Sequence, residues 1–221
     1  LGETPSIRKR LTQEERDEQS KFYLSRPCGD PEAEYTLYYW PSLAGRGEWV
    51  RLMFVEGGVD WYDIALDPKK KSFEEVLMWI KGEQDKELNP VFAPPIIRRK
   101  SDNFVLAETA AICQYLGRKF GLCPKTDELE FRAAEIAQSA LDFVAQGRLS
   151  FHVGPNKTES YFTQTEACKP HIEEFRKTRM PRFLQHFERV IAHNQEKYPG
   201  TDFVVGENVS FADVVLWQVL V

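Results

Sequence analysis

Three groups of residues could carry chemistry in this 221-residue chain. The first is Leu106-Ala107-Glu108-Thr109-Ala110-Ala111, where a carboxylate and a hydroxyl stand at the expected start of a helix. A helix start presents unpaired backbone N–H groups and the positive end of the dipole, which suits a carboxylate ligand. Glu108 alongside suits an ammonium group, so the pair fits the head of an amino acid; the alternative is that Thr109 only caps its helix. The second group is Ala93-Pro94-Pro95-Ile96-Ile97, a proline pair running directly into apolar strand residues. A cis X-Pro bond is rare and is kept where a tight turn must present backbone groups. The third is Tyr38-Tyr39-Trp40-Pro41-Ser42, in which two phenols and a hydroxyl close an aromatic strand. Alternation sends Tyr38 and Tyr39 to opposite faces of a sheet, and parity alone does not say which face meets a ligand.

The elements that must position these groups are legible in the hydrophobic pattern. Tyr35 to Trp40 is β-prone. Residues 45–57 carry apolar side chains at Trp49, Val50, Leu52, Met53 and Val55, a helical stripe closed by Gly57-Gly58. Trp61 to Leu66 reads as a second strand. Ser72 to Gly82 reads as a helix with Ser72 and Glu75 as a capping box. Ile96-Ile97 and Phe104-Val105-Leu106 are two short strands around Ser101-Asp102-Asn103, and Thr109 to Phe120 is the next helix, stopped by Gly121 and Pro124. The expected order is β-α-β-α-β-β-α, a small α/β domain with a mixed sheet. Helical stretches follow at about 127–147, at about 158–195 with Pro170 and Pro181 as punctuation, and from Ser210 onward, an all-α second domain.

This divides the chain into a charged extension over 1–34, a sheet domain over 35–123 and a helical domain over 124–221. A start at Leu1 and a stop at Val221 inside an apolar run suggest a trimmed chain with a C-terminal part still to come. The basic triplet Arg8-Lys9-Arg10 admits a targeting peptide, although the acidic residues behind it are unlike one.

Bulk properties exclude several classes. A net charge of −5 and a pI near 5.5 leave no basic stripe evident in the overall balance, which argues against nucleic acid. No apolar run approaches the roughly 20 residues of a membrane span. The four cysteines, Cys28, Cys113, Cys123 and Cys168, show neither CxxC nor zinc spacing, and the histidines are unclustered, so a reducing compartment and no metal site are expected.

Together the motifs resemble a cytosolic glutathione S-transferase from Tyr35 to Val221. The Tyr35–Pro41 strand and the Gly45-Arg46-Gly47-Glu48 element are similar to those of the tyrosine-type classes, alpha, mu, pi and sigma. Pro94-Pro95-Ile96-Ile97 resembles the family's cis-proline loop, Glu108-Thr109 the acidic-plus-hydroxyl pair opening the third helix, and Ser210-Phe211-Ala212-Asp213 the capping box of a buried helix. The resemblance implies a thioredoxin-like domain followed by a helical domain. It implies Tyr39 as the catalytic hydroxyl, with Ser42 as the serine-type alternative. It assigns glutathione binding to Arg46, Trp79, Lys81, Pro94, Pro95, Glu108 and Thr109, with Trp79 and Lys81 for the glycyl carboxylate. Pro95 is the expected cis residue; the alternative is a cis Pro94, in which case Ala93 offers both its N–H and its C=O. Phe143, Phe151 and Trp217 are loose expectations for an apolar acceptor pocket. The implied activity is conjugation of the glutathione thiolate to hydrophobic electrophiles, with glutathione as co-substrate and no metal. A homodimer in the cytoplasm is implied, or an organelle if a targeting peptide is removed. The alternative function is a non-catalytic scaffold in a larger assembly. Four departures from the family pattern stand out: an extra residue between Tyr39 and Arg46, Ala44 in place of a common arginine, Pro94 in place of a residue with an N–H, and Gln138 in place of an acidic residue.

Overall fold

The computed structural model describes residues 25–84, 86–155, 157 and 160–220. Expectations for residues 1–24, the basic triplet included, lie outside the described residues. Strand β1 (Tyr35–Tyr38) pairs in parallel with β2 (Trp61–Asp63) and antiparallel with β3 (Ile96–Arg99). Strand β4 (Val105–Ala107) pairs antiparallel with β3, giving the order β2-β1-β3-β4. The parallel pair needs a crossover, and helix α1 (Gly47–Glu56) lies in that connection. Period-two alternation sorts the strand residues. Tyr38 and Ile96 enter a cluster with Val76 and Trp79 of helix α2 (Ser72–Lys81), whereas Leu37 and Ile97, both fully buried, face the other way. Each such aliphatic side chain contributes about 1.5–3 kcal/mol by leaving water.

Two local expectations are corrected. The second strand stops at Asp63 rather than Leu66, because the Asp63 Oδ1 accepts the Ala65 N–H at 3.0 Å and turns Ile64–Leu66 into a 3₁₀ helix. The Ser72–Glu75 capping box does not form. Lys71 is the N-cap and makes no side-chain cap bond, so Ser72 is already helical, and its side chain is buried. Part of the expected extension is tied to the sheet. The Cys28 carbonyl accepts the Asp63 N–H at 2.7 Å, the Glu34 carbonyl accepts the Lys100 N–H at 2.8 Å, and Lys100 pairs with Glu32.

The remaining chain is helical: α3 (Thr109–Phe120), α4 (Asp127–Ser150), α5 (Thr165–Glu174), a π-helical segment (Phe175–Arg179), α6 (Met180–Lys197) and α7 (Phe211–Leu220). Gly121 ends α3 in the left-handed region at φ 77°, and Thr126 caps α4 by accepting the Leu129 N–H. Pro181 opens α6 as expected, whereas Pro170 sits inside α5, so the chain passes through it in helical conformation. A mixed sheet of thioredoxin-like order followed by an all-helical domain is the fold. By density of contacts, the described chain forms two units: residues up to Gly47 together with Asp60–Ala107, and Glu48–Val59 together with Glu108 onward.

The second unit is organised around α7, whose Phe211, Ala212, Val215 and Leu216 are buried. Its start is held by Asp213. One carboxylate oxygen accepts both the Ser210 N–H and the Ser210 hydroxyl at 2.8 Å, and the other accepts the Val204 N–H at 2.7 Å. Burial pushes the Asp213 carboxyl above its ordinary pKa, against the pull of those bonds. Asp213→Ala leaves the Val204 and Ser210 N–H groups without their partner in a part-buried site, at about 1–3 kcal/mol each. The expected loss is about 2–4 kcal/mol, read as a lower denaturant midpoint with an unchanged slope.

Candidate active site

Tyr38 and Tyr39 separate as alternation requires. The Tyr38 ring lies in the apolar cluster, edge-on to Trp79 with ring centroids 5.3 Å apart. Tyr39 follows the end of β1, and its hydroxyl oxygen accepts the Arg46 backbone N–H at 2.7 Å. That bond depends on Gly45, which holds φ +40° and whose missing Cβ would fall on the Tyr39 hydroxyl. Accepting a backbone N–H withdraws charge from the phenol oxygen and makes its O–H a better donor. Gly45 and the Arg46 backbone are therefore part of the phenol's setting. In the sequence, Gly45-Arg46 stands out only as a motif, and the Arg46 backbone does not. The signal was present, since glycine directly before the expected helix marks a close backbone approach.

Gly45→Ala is accordingly expected to displace the Tyr39 ring. Thermal unfolding should show a destabilisation of about 1–3 kcal/mol from the positive φ and the overlap.

The peptide bond between Pro94 and Pro95 is cis, as expected for Pro95. Tyr38 pairs with Ile96 across the β1–β3 ladder, so Tyr39 and Pro95 each lie one residue beyond that pair. Pro95 is buried and Pro94 half-buried. Pro94 offers a carbonyl but no N–H. On the other side of β3, Ile96 pairs with Ala107, the last residue of β4, and the chain passes directly into Glu108. Register thus carries the cis-proline turn and the ends of β1 and β4 to one end of the sheet.

Helix α3 opens unusually. Glu108 is its N-cap at φ 71° and ψ 119°, makes no side-chain cap bond, and is exposed. A non-glycine residue there costs about 1–3 kcal/mol and recurs at binding sites. Thr109, 1% exposed, keeps its Oγ1 buried with no hydrogen-bond partner among the described residues. Thr109 is therefore not a capping residue. A buried hydroxyl without a partner at a helix N-terminus fits an incoming anion.

The C-terminal stretch, residues 156–221, matches the family model described as "Glutathione S-transferase, C-terminal domain". The chain is 27% identical over 188 residues to "Glutathione S-transferase P 1" of Xenopus laevis, covering 84% of this chain and 75% of that protein. It is 32% identical over 188 residues to "Glutathione S-transferase P 2" of Bufo bufo, with the same coverage of 84% and 75%. The chain belongs to the glutathione S-transferase family. Among solved structures, the glutathione S-transferase from Ascaris lumbricoides superposes with a TM-score of 0.57 at 29% identity, covering 84% of this chain and 78% of that one.

The other glutathione S-transferase positions anticipated from sequence are less uniform. Trp79 is 5% exposed within the sheet's apolar cluster, the setting of a core side chain. Lys81, in the last turn of α2, is exposed and lies 3.9 Å from Glu83. Ser42 is exposed in a turn at φ 62°. Of the aromatics expected to line an acceptor pocket, Phe143 is instead core. It is 8% exposed and stacks on Phe175 and Phe183 with centroids 5.9 and 4.9 Å apart. Phe151 packs edge-on against Tyr161, and Trp217 is 55% exposed. A helix stripe of aromatics looks the same in sequence whether it faces a core or a cavity.

Proposed function

We propose that this glutathione S-transferase family member conjugates glutathione to electrophilic small molecules, with Tyr39 as the hydroxyl that holds the thiolate. The observation carrying this reading is the Tyr39 phenol, whose oxygen accepts the Arg46 N–H beside Gly45, one residue from the β1–β3 pair that also leads to cis-Pro95. Its O–H donates to the sulfur, and the accepted N–H strengthens that donation. Pro94 contributes its carbonyl to the backbone N–H of the ligand's cysteine. Thr109 Oγ1 and the α3 N-terminus take the γ-glutamyl carboxylate, and Glu108 takes the ammonium. Lys81 reaches the glycyl carboxylate, while Trp79 supports the sheet beneath; Arg46 adds positive charge at the helix start.

The chemistry follows from the thiolate. A free thiol has a pKa of about 8.5, so it is mostly protonated at neutral pH. Lowering it by about two units requires roughly 2.7 kcal/mol of preference for the charged form, the scale of one charge-assisted hydrogen bond with a dipole nearby. The thiol proton passes to solvent. The sulfur lone pair then forms a C–S bond to the electrophilic carbon, and the electron pair leaves with the departing group or moves onto the activating substituent.

The cytosol is the compartment that fits four cysteines all free of disulfides. Assembly as a homodimer follows the family resemblance; Phe92, 86% exposed in the sheet unit, and Phe131, 69% exposed in the helical unit, are apolar side chains that a second copy would cover. Light scattering is expected to give twice the chain mass of 25.6 kDa, and Phe92→Ser to shift it toward the single-chain mass. The function is tested by retention on immobilised glutathione with elution by free glutathione, together with conjugation to an aryl halide. Retention without turnover would leave a binding protein rather than a transferase.

A further inference from the structure

The helical unit carries a feature that glutathione chemistry does not use. Along α6 and the π segment before it, Arg179, Arg182, Arg189 and Lys197 recur with His186 and His193 between them. At 100° per residue, the five positions from Arg182 to Lys197 fall within an arc of about 80°, a single helical face. Hollows run beside this face. Three hollows of about 400, 390 and 360 Å³ follow one another along it, the first two sharing His186 and Arg189 and the last two sharing Arg179. Together they make a furrow flanked by α4 and by the end of α5, with Glu128 at one end and Glu174 at the other.

Its charges are available. Arg182 and Arg189 are exposed and make no ion pair among the described residues. Arg179 donates to Gln146 and lies over the Phe183 ring, uses that leave its charge uncompensated. Glu188 and Glu196 of the same helix do not line the furrow. Four cations within residues 179–197 stand out in a chain whose net charge is −5. The floor is apolar at intervals, through Leu129, Val190, Phe183 and Leu149.

We infer that this furrow binds an extended acidic peptide segment of a partner protein. From Arg179 to Lys197 is about 27 Å of helix, the span of roughly eight extended residues. A row of cations alternating with apolar pockets matches a chain that alternates carboxylates with apolar side chains, on the principle of charge complementarity. A nucleic acid would meet a protein that repels it overall.

The test uses the whole chain and a fluorescein-labelled nonapeptide of repeating Glu-Glu-Leu, with a Gln-Gln-Leu peptide, an oligothymidylate and phosphatidylserine vesicles as comparisons. The acidic peptide is expected to bind in the micromolar range at low salt, at least ten-fold tighter than the Gln peptide. Arg182→Glu/Arg189→Glu should weaken it ten-fold or more, and the milder Arg182→Gln/Arg189→Gln should weaken it several-fold. Both variants keep their melting temperature, glutathione affinity and conjugation rate, so failure here is distinguishable from failure of the transferase reading. Equal binding of the two peptides, undiminished binding by both variants, or tighter binding of the oligonucleotide or the vesicles overturns the inference.

Discussion

Tyr39→Phe is expected to lower kcat/KM for conjugation at neutral pH by about ten- to a hundred-fold while leaving glutathione affinity within a factor of about three. The phenol contributes to the charged sulfur and to nothing else on the peptide, so binding and rate separate. Phenylalanine also keeps the ring beside Gly45 and removes only the oxygen that accepts the Arg46 N–H. The same variant should raise the apparent pKa of the bound thiol toward its free value of about 8.5, so that the deficit shrinks as pH rises. The sign follows from the thiolate being the reactive form: above the free pKa, both proteins hold mostly thiolate and their rates converge. A rate unchanged in Tyr39→Phe but lost in Ser42→Ala would transfer the role to the serine hydroxyl.

Thr109→Val makes the second large effect, and its value lies in opposite signs. The Thr109 hydroxyl is buried without a partner, an arrangement that costs the protein about 1–3 kcal/mol. Valine fills the same volume, so the variant should unfold at the same or a higher temperature. A hydrogen bond to a charged group contributes about 1.5–3 kcal/mol, so glutathione affinity should fall by about ten- to a hundred-fold. Calorimetric titration with glutathione, run beside thermal unfolding, reads both. Lower stability with unchanged affinity would make Thr109 a structural residue and remove the anion site from the start of α3.

The strands, the cis-proline turn and the helix ends were legible because each has a local cause: aromatic alternation at 35–38, the Pro94-Pro95 pair, and glycine stops such as Gly121. Strand β2 was overextended because Asp63 turns the backbone with its own side chain, which residue types alone do not weigh against an apolar run. Ser72 looked like a cap for the same reason that Thr109 did. A hydroxyl near a helix start is ambiguous until the first helical residue is known, and both proved to lie inside their helices. Parity does not separate Tyr38 from Tyr39, and neither does burial, since both are buried; only tertiary packing tells them apart, with the Tyr38 ring against Trp79 and the Tyr39 hydroxyl on the Arg46 N–H. Phe143 and Trp79 show the converse, aromatic residues whose setting among buried neighbours is invisible in sequence spacing. The basic face of α6 was passed over because an overall charge of −5 hides a local stripe.

The most direct measurement is titration of the thiol of bound glutathione, followed by the ultraviolet absorbance of the thiolate in the protein–glutathione complex. A hydroxyl that accepts the Arg46 N–H and, as proposed, donates to the sulfur should give an apparent pKa about two units below the free value, near 6.5, moving back toward about 8.5 in Tyr39→Phe. A bound thiol that titrates at its free value in the unaltered protein contradicts the assignment of Tyr39 and, with it, the transferase mechanism.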